Sequence, residues 1–563
     1  MLFPTISFVL FFTVIFLVYW ACVHCRSFLG GVPANHLRKF VLLLASYVFY
    51  GIWDWRFLPL LVGSTLLNYL FARILLYIRQ MQTSLERVKL PPPPSSSSPS
   101  SSPDVKDVKE GRGQHLREEE AGILQLQARA KLVLVLAIVL NLACLVLFKY
   151  ANWLLVNLNT LLHALHLPLL FSRTTIILPL GISFFTFQNL SFLIDIYRRK
   201  LRQSGSYIDY SLYIAFFPQL IAGPIVRAGS ILPQLQRLPN PQNIYLSDAF
   251  TRIFMGLVKK VFIAGTLSSS FVDPIFLVPS DYSSLELLLA AYAYSVVIYC
   301  DFSAYSDMAV GLGLLCGIRL MENFNRPYAR SSLQDFWRNW HISLSTWLRD
   351  YLYIPLGGGR KGNHYMNIIV TMLLGGLWHG ASSTFLLWGG LHGAAISIEH
   401  LIRRRRASSL EGISMNRGVS MNTDVSIRPG MSIRPGMGIS SGIDVDEGWR
   451  SRLRRVLGWL YSFHFVTLAW ILFRSPDFSV AGAYFAKLLS FDFSVAGSLS
   501  NMVLIAIFLG LLPQILLPGL SALFTKTMDT LPIVAQIFVF ACSVALLQVV
   551  LPDGIAPFIY YQF

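Results

Sequence analysis

The feature that most constrains what this chain can fold into is the recurrence of apolar runs along nearly its whole length. They fall near residues 5–23, 39–54, 56–78, 131–148, 175–195, 207–225, 250–277, 284–300, 305–320, 366–378, 381–401, 456–473, 498–518 and 532–551. A membrane-crossing helix needs about 20 mainly apolar residues, and several runs meet that length. Only 13% of the 563 residues are charged and 54% are hydrophobic, whereas soluble domains carry about a quarter charged residues. The pattern predicts an all-α polytopic membrane protein with roughly ten or more transmembrane helices plus re-entrant segments. Pro179-Leu180-Gly181, Phe217-Pro218-Gln219 and Ala222-Gly223-Pro224 read as kinks or re-entrant turns. Irregular backbone at membrane depth is tolerated only against protein or a water-filled cavity, so these breaks predict a core with an internal cavity.

The formal net charge of +17 sits in short clusters between apolar segments. Such clusters mark cytoplasmic loops; they are not a nucleic-acid footprint, which would interleave basic residues with aromatics on a polar domain. Arg26, Arg38 and Lys39 predict a cytoplasmic first loop, as do Arg198-Arg199-Lys200, Arg403 to Arg406 and Arg450 to Arg455 for theirs. The N-terminus is then expected to face outward, at the head of an uncleaved first transmembrane helix. Six cysteines lie nearly all within apolar segments and read as buried thiols. Cys22 and Cys25 flank His24 without a second ligand pair, so no metal site is expected.

These signals divide the chain into N-terminal transmembrane helices (1–78), a disordered cytoplasmic insertion (79–130), a core (131–402), a low-complexity cytoplasmic loop (403–455) and C-terminal transmembrane helices (456–563). Residues 91–120 are rich in proline, serine and charge, too polar to pack. Residues 426–437 repeat Ser-Ile-Arg-Pro-Gly-Met in tandem, which reads as linker drift and not as a solenoid.

The chemistry concentrates in residues 335–393, where His341, His379, His392, Arg338, Arg349 and Asp350 lie among apolar runs. Ionisable groups at bilayer depth are costly and are read first as reaction-centre or pathway residues. His379, beside Trp378 in an otherwise uncharged run, reads either as a buried base or as a helix-to-helix hydrogen-bonding residue. His341 has Trp337, Arg338, Trp340 and Trp347 around it, which also suits an interfacial anchor. His392 is expected to line a tunnel or to be structural. Asp301, Ser303, Ser306 and Asp307 form a polar row in an apolar segment. They read as substrate ligands, as groups that orient a histidine, or as ion-pair partners of Arg338 or Arg349. Gln219, Arg227 and Asn339 carry the same alternatives. Arg360 and Lys361 suit the phosphates of a CoA-like donor or a simple interfacial loop. The remaining histidines (His24, His36, His115, His163, His166, His364, His400 and His464) are expected at surfaces or interfaces.

An ordered set of motifs then points to a family. It comprises LFPTISFVLFF at the start, Ile182-Ser183-Phe184-Phe185, Ile194 to Arg198, FFPQLIAGPIVR at 216–227, YCDFSAYSDMAVG at 299–311, the 335–393 stretch, Trp470 to Arg474 and the terminal FIYYQF. The chain resembles the membrane-bound O-acyltransferase superfamily, in particular its bacterial alginate O-acetylation and teichoic acid D-alanyl transfer branch; the insertions at 91–120 and 407–447 depart from it. The resemblance implies a helical fold enclosing a tunnel, with His379 and His341 as catalytic histidines. It also implies acyl transfer from a thioester donor, acyl-CoA or a charged carrier protein, onto a hydroxyl. Elementary chemistry is compatible with this: a hydroxyl needs an adjacent base, imidazole can supply it, and a thioester donor needs no metal.

The expected protein is thus a multi-pass O-acyltransferase of the inner (cytoplasmic) membrane. It would move an acyl group, foremost acetyl, to an exported polysaccharide or cell-envelope glycan. The candidate site set is His379 and His341 as catalytic residues, with Asp301, Ser303, Asp307, Arg338, Asn339, Trp378, His392 and Gln219 contacting substrate. Membrane lipids and an extracytoplasmic hydrolase-like partner are the expected associates. Alternatives are D-alanyl transfer from a carrier protein, a glycan transporter or flippase, and a scaffold in an export complex.

Overall fold

The computed structural model describes residues 3, 5–88, 105–168, 176–416, 449–494, 499–515 and 519–550. Every regular element among them is helical. Among the described residues, seven helical stretches are long and apolar enough to cross a membrane, or eight if Asn501–Ile515 and Leu520–Asp529, bent by 84°, form one span. The first helix, Ile6–His24, turns Leu10, Val14 and Leu17 outward. Such a surface marks contact with lipid or another protein, and the length and hydropathy of this helix suit a membrane span. Ser284–Leu315 is the central element, with 78% of its apolar window buried. It is one continuous helix, not the two runs (284–300 and 305–320) expected around its polar row. Asp301, Ser303, Ser306 and Asp307 interrupt the hydropathy but not the helix, because they face partners inside the protein.

Other expectations change in the same way. The segment 79–130, expected to be disordered, is helical over 79–88 and 105–130, as parts of Leu58–Val88 and Val105–Leu145. Helix Ser383–Asn416 likewise runs into the stretch assigned to a loop. Polar composition did not preclude helix there, because these segments prolong apolar helices that are already nucleated. The Ser-Ile-Arg-Pro-Gly-Met repeat and the terminal FIYYQF lie outside the described residues.

Arg38 and Lys39 do not sit in a loop. Both are buried on helix Gly31–Asp54. Lys39 pairs with Asp209 at 2.6 Å. Arg38 donates to the Tyr19 hydroxyl at 3.1 Å and to the carbonyls of Leu235 and Arg237 at 3.0 and 2.6 Å. Charge patterning identifies cations but not their partners, and a cation that finds a carboxylate or several acceptors can be buried.

The predicted breaks are present. Helix Ile182–Tyr197 begins immediately after Pro179-Leu180-Gly181. Helix Tyr207–Ala215 gives way to the single buried turn Phe217–Leu220. The segment that carries His379 is a shorter helix with a buried end. His364–His379 has 16 residues, roughly 24 Å at 1.5 Å per residue, and stops inside the protein. The chain turns at 380–382 and returns as Ser383–Asn416. Glycines let the two helices touch: a Cβ at Gly376 would stand 2.3 Å from the Phe385 carbonyl oxygen, and one at Gly389 2.3 Å from that of Met372. Close approach through small residues is how helices gain packing energy where lipid removes the hydrophobic driving force.

Candidate active site

His379 is the last residue of its helix and is buried. Its ring lies 4.9 Å from Trp378, 5.3 Å from Trp388 and 5.1 Å from Phe473, centroid to centroid. Trp388 comes from the returning helix, and Phe473 from helix Trp449–Arg474. The Trp470–Arg474 motif therefore closes the nest around His379, with Trp470 5.5 Å from Trp388.

His341 approaches from a different part of the chain. It sits between helices Leu333–Asn339 and Ile342–Leu348 with left-handed backbone, φ 42°. A non-glycine residue in that region is strained and is held there only by its surroundings. The tether is Asn323. Its carbonyl accepts from the Ile342 amide at 2.9 Å, and its Oδ1 accepts from the Ser343 amide and hydroxyl at 3.2 and 2.8 Å. Asn323 Nδ2 donates to Ser306 at 3.2 Å, and Ser343 Oγ accepts from the Ile225 amide at 3.0 Å. The polar row of the central helix and the buried break at 216–227 thus meet beneath His341. Its imidazole is fully buried, 4.6 Å from Phe302 and 5.6 Å from Trp378. Neither ring nitrogen has a hydrogen-bond partner among the described residues. A buried polar group left unmatched costs about 1–3 kcal/mol, so a position that keeps two such nitrogens is a candidate for contact with a substrate.

His392 lies one ring further on, 4.8 Å from Trp388. Its Nδ1 accepts from the Trp337 indole at 3.2 Å, while Nε2 is unmatched among the described residues. Trp340 and Trp347 are buried too, so the aromatic surroundings of His341 are core packing and not an interfacial belt.

The other candidates separate from this cluster. Asp301 pairs with Lys260 at 2.5 Å. Asp307 pairs with Lys259, which also donates to Ser303 at 3.0 Å. The lysines belong to the π-helical stretch Val258–Gly265. Pairing with Arg338 or Arg349 is therefore replaced by pairing with Lys259 and Lys260, which the antiparallel neighbour of the central helix brings alongside. Arg338 is at the surface, 65% exposed and bonded to Asp335 at 3.0 Å; Arg349 bonds Asp350 at 2.8 Å. Asn339 donates to the Asp335 carbonyl at 2.7 Å, an intrahelical role. Gln219 is buried at the break, its amide donating to the Tyr213 carbonyl at 2.7 Å and its Oε1 unmatched among the described residues.

Residues that sequence reasoning did not select also bear on the site: Asn323, Phe302, Trp388 and Lys149. Lys149 is legible in hindsight as the single Lys, Arg, Asp or Glu between Lys131 and Arg173. The others are ordinary residue types whose roles arise from contact.

A cavity of about 700 Å³ lies between helices Leu246–Leu257, Ser284–Leu315, Asn501–Ile515 and Leu520–Asp529. Arg252, Lys259, Arg326 and Lys526 line it, opposed by Asp248, Asp307, Glu322 and Asp529. Phe324 on its wall is 5.0 Å from Phe302, which in turn touches His341. The cavity stops two rings short of the histidine.

Fold and site define a polytopic helical membrane protein with two histidines enclosed among aromatic rings, one at the buried end of a helix and one in a strained loop. Residues 129–419 match the membrane-bound O-acyltransferase (MBOAT) family. The chain belongs to that family and is a membrane O-acyltransferase. It is 35% identical over 82% of its length to the probable alginate O-acetylase AlgI of Azotobacter vinelandii, covering 74% of that protein. It is 33% identical over 79% of its length to the peptidoglycan O-acetyltransferase of Helicobacter pylori, covering 72%. A teichoic acid D-alanyltransferase of Bacillus subtilis matches at 28% over 38% of this chain and 56% of its own.

Proposed function

We propose that this protein transfers an acetyl group from a cytoplasmic thioester to a hydroxyl of an exported or cell-envelope glycan, with His379 and His341 at the reacting centre. The observation that carries the reading is the shared neighbour of the two histidines: Trp378 lies 5.6 Å from His341 and 4.9 Å from His379. In this reading one imidazole takes the proton of the attacking hydroxyl. The oxygen forms the new ester bond, and the thiolate leaves and is protonated. General-base help of this kind is worth about 10²–10⁴-fold. Acetyl transfer is favoured over D-alanyl transfer because the O-acetylating relatives align over about twice as much of the chain.

Charge supports a donor route from the cytoplasm. Tyr19 and Trp20 at the end of the first helix donate to the carbonyls of Cys316 and Leu315. Arg38 reaches the Arg237 carbonyl, and the Arg319 amide donates to Gln234. Basic residues thus converge at one end of the bundle, the cytoplasmic end by the positive-inside rule. The charge-lined cavity includes Asp248, Arg252 and Glu322 near this end, and in this reading it receives the amide-rich arm of an acyl-CoA or carrier thioester. The glycan acceptor, or an extracytoplasmic partner that passes the group on, approaches from the other face of the inner membrane.

The test is incubation of purified protein with labelled acetyl-CoA, following hydrolysis and transfer to added glycan. Wild type should turn the donor over and His379→Ala should not, at equal membrane expression. Full turnover by His379→Ala removes the proposed centre.

A further inference from the structure

The mechanism proposed above leaves unused a half-buried cation that touches the end of the His379 helix. Lys149 lies in a long apolar stretch, where a charge costs about 2.5–3.5 kcal/mol or more. It occupies the π-helical segment Val146–Tyr150, between helices Val105–Leu145 and Ala151–Ala164. Such segments insert a residue into the helical ladder, re-aim side chains and recur at functional sites. Here the ammonium donates to the carbonyl of Trp378, to that of His379 at 3.1 Å and to Ser183 Oγ at 3.5 Å. It also lies 5.7 Å from the Trp378 ring centroid. The adjacent Tyr150 hydroxyl donates to the Leu377 carbonyl at 2.6 Å.

These three carbonyls end the His364–His379 helix. The last four carbonyls of any helix lack intrahelical donors, and a cation at a helix C-terminus gains about 0.3–2 kcal/mol from the dipole. A helix ending in water would be capped by solvent. This one ends inside the protein, on the residue that must be held still. We infer that Lys149 and Tyr150 form a built-in C-cap that fixes His379 and Trp378 relative to His341. Lys149 is then a positioning residue for acyl transfer, acting through the backbone of the catalytic helix.

The inference rests on His379 being the reacting group, and the experiment separates the two. Wild type, Lys149→Met, Lys149→Arg, Tyr150→Phe and His379→Ala are purified and assayed with labelled acetyl-CoA. In parallel, hydrogen exchange of the His364–His379 amides is followed by mass spectrometry. Lys149→Met should lower kcat about 10–100-fold, the scale of an ångström-sized misplacement, with donor KM within about twofold, as expected for loss of transition-state geometry only. Lys149→Arg, which can also donate to two carbonyls, should recover most of the loss, and Tyr150→Phe should show a smaller one. Exchange should rise at 375–379 in Lys149→Met and stay unchanged at the 364–369 end. Unchanged exchange at 375–379 overturns the inference, with or without turnover of this donor. So does a normal kcat in Lys149→Met where His379→Ala is inactive. Normal kcat in His379→Ala overturns the underlying reading instead.

Discussion

His341 and His379 share one aromatic neighbour: the Trp378 indole lies 5.6 Å from the first ring and 4.9 Å from the second. They are 38 residues apart in sequence and reach this point on different devices, a strained loop and the buried end of a helix. Each device can be disturbed separately.

His341 has left-handed backbone, φ 42°, a conformation that asparagine adopts readily. His341→Asn should therefore keep the loop while removing the imidazole. Acyl transfer is expected to fall about 10²–10⁴-fold with little change in thermal midpoint in detergent. Activity near wild type would assign His341 to packing.

Asn323 holds that loop through three hydrogen bonds to residues 342 and 343. Asn323→Ala leaves the buried Ser343 amide and hydroxyl without their acceptor, at about 1–3 kcal/mol. Turnover should drop alongside stability. Asn323→Asp keeps the acceptor oxygen but loses the Nδ2 bond to Ser306 and buries an unpaired carboxyl, so it should not recover the wild-type thermal midpoint.

Asp301 and Lys260 form an ion pair in which both side chains are under one-tenth exposed. Removing one partner of such a pair typically costs about 3–5 kcal/mol, whereas replacing both by apolar residues is often neutral. Asp301→Leu alone should be poorly folded, and Asp301→Leu with Lys260→Met should recover the melting midpoint. If Asp301 instead bound substrate, the double variant would fold yet show a raised KM.

Gly376 and Gly390 make opposite predictions. A methyl at Gly376 meets a backbone carbonyl at 2.3 Å, whereas one at Gly390 meets the end of the Leu373 side chain at 3.3 Å. Gly376→Ala should destabilise by about 1–3 kcal/mol or more through overpacking. Gly390→Ala should be neutral or stabilising by up to about 1 kcal/mol from helix propensity. Thermal melts of the two variants, read with turnover, check the pair.

Membrane class, helical architecture and the buried breaks were legible from the sequence, because hydropathy and proline or glycine punctuation act locally. Family motifs likewise named both histidines. Pairings were not legible. Lys39 with Asp209, Lys260 with Asp301 and Lys149 with the carbonyls of Trp378 and His379 join residues 170, 41 and about 230 positions apart. A sequence shows that a buried cation must find a partner, since unpaired charge in the apolar interior is too costly. Which carboxylate or helix end supplies it depends on how the helices stack, and only the tertiary structure decided that.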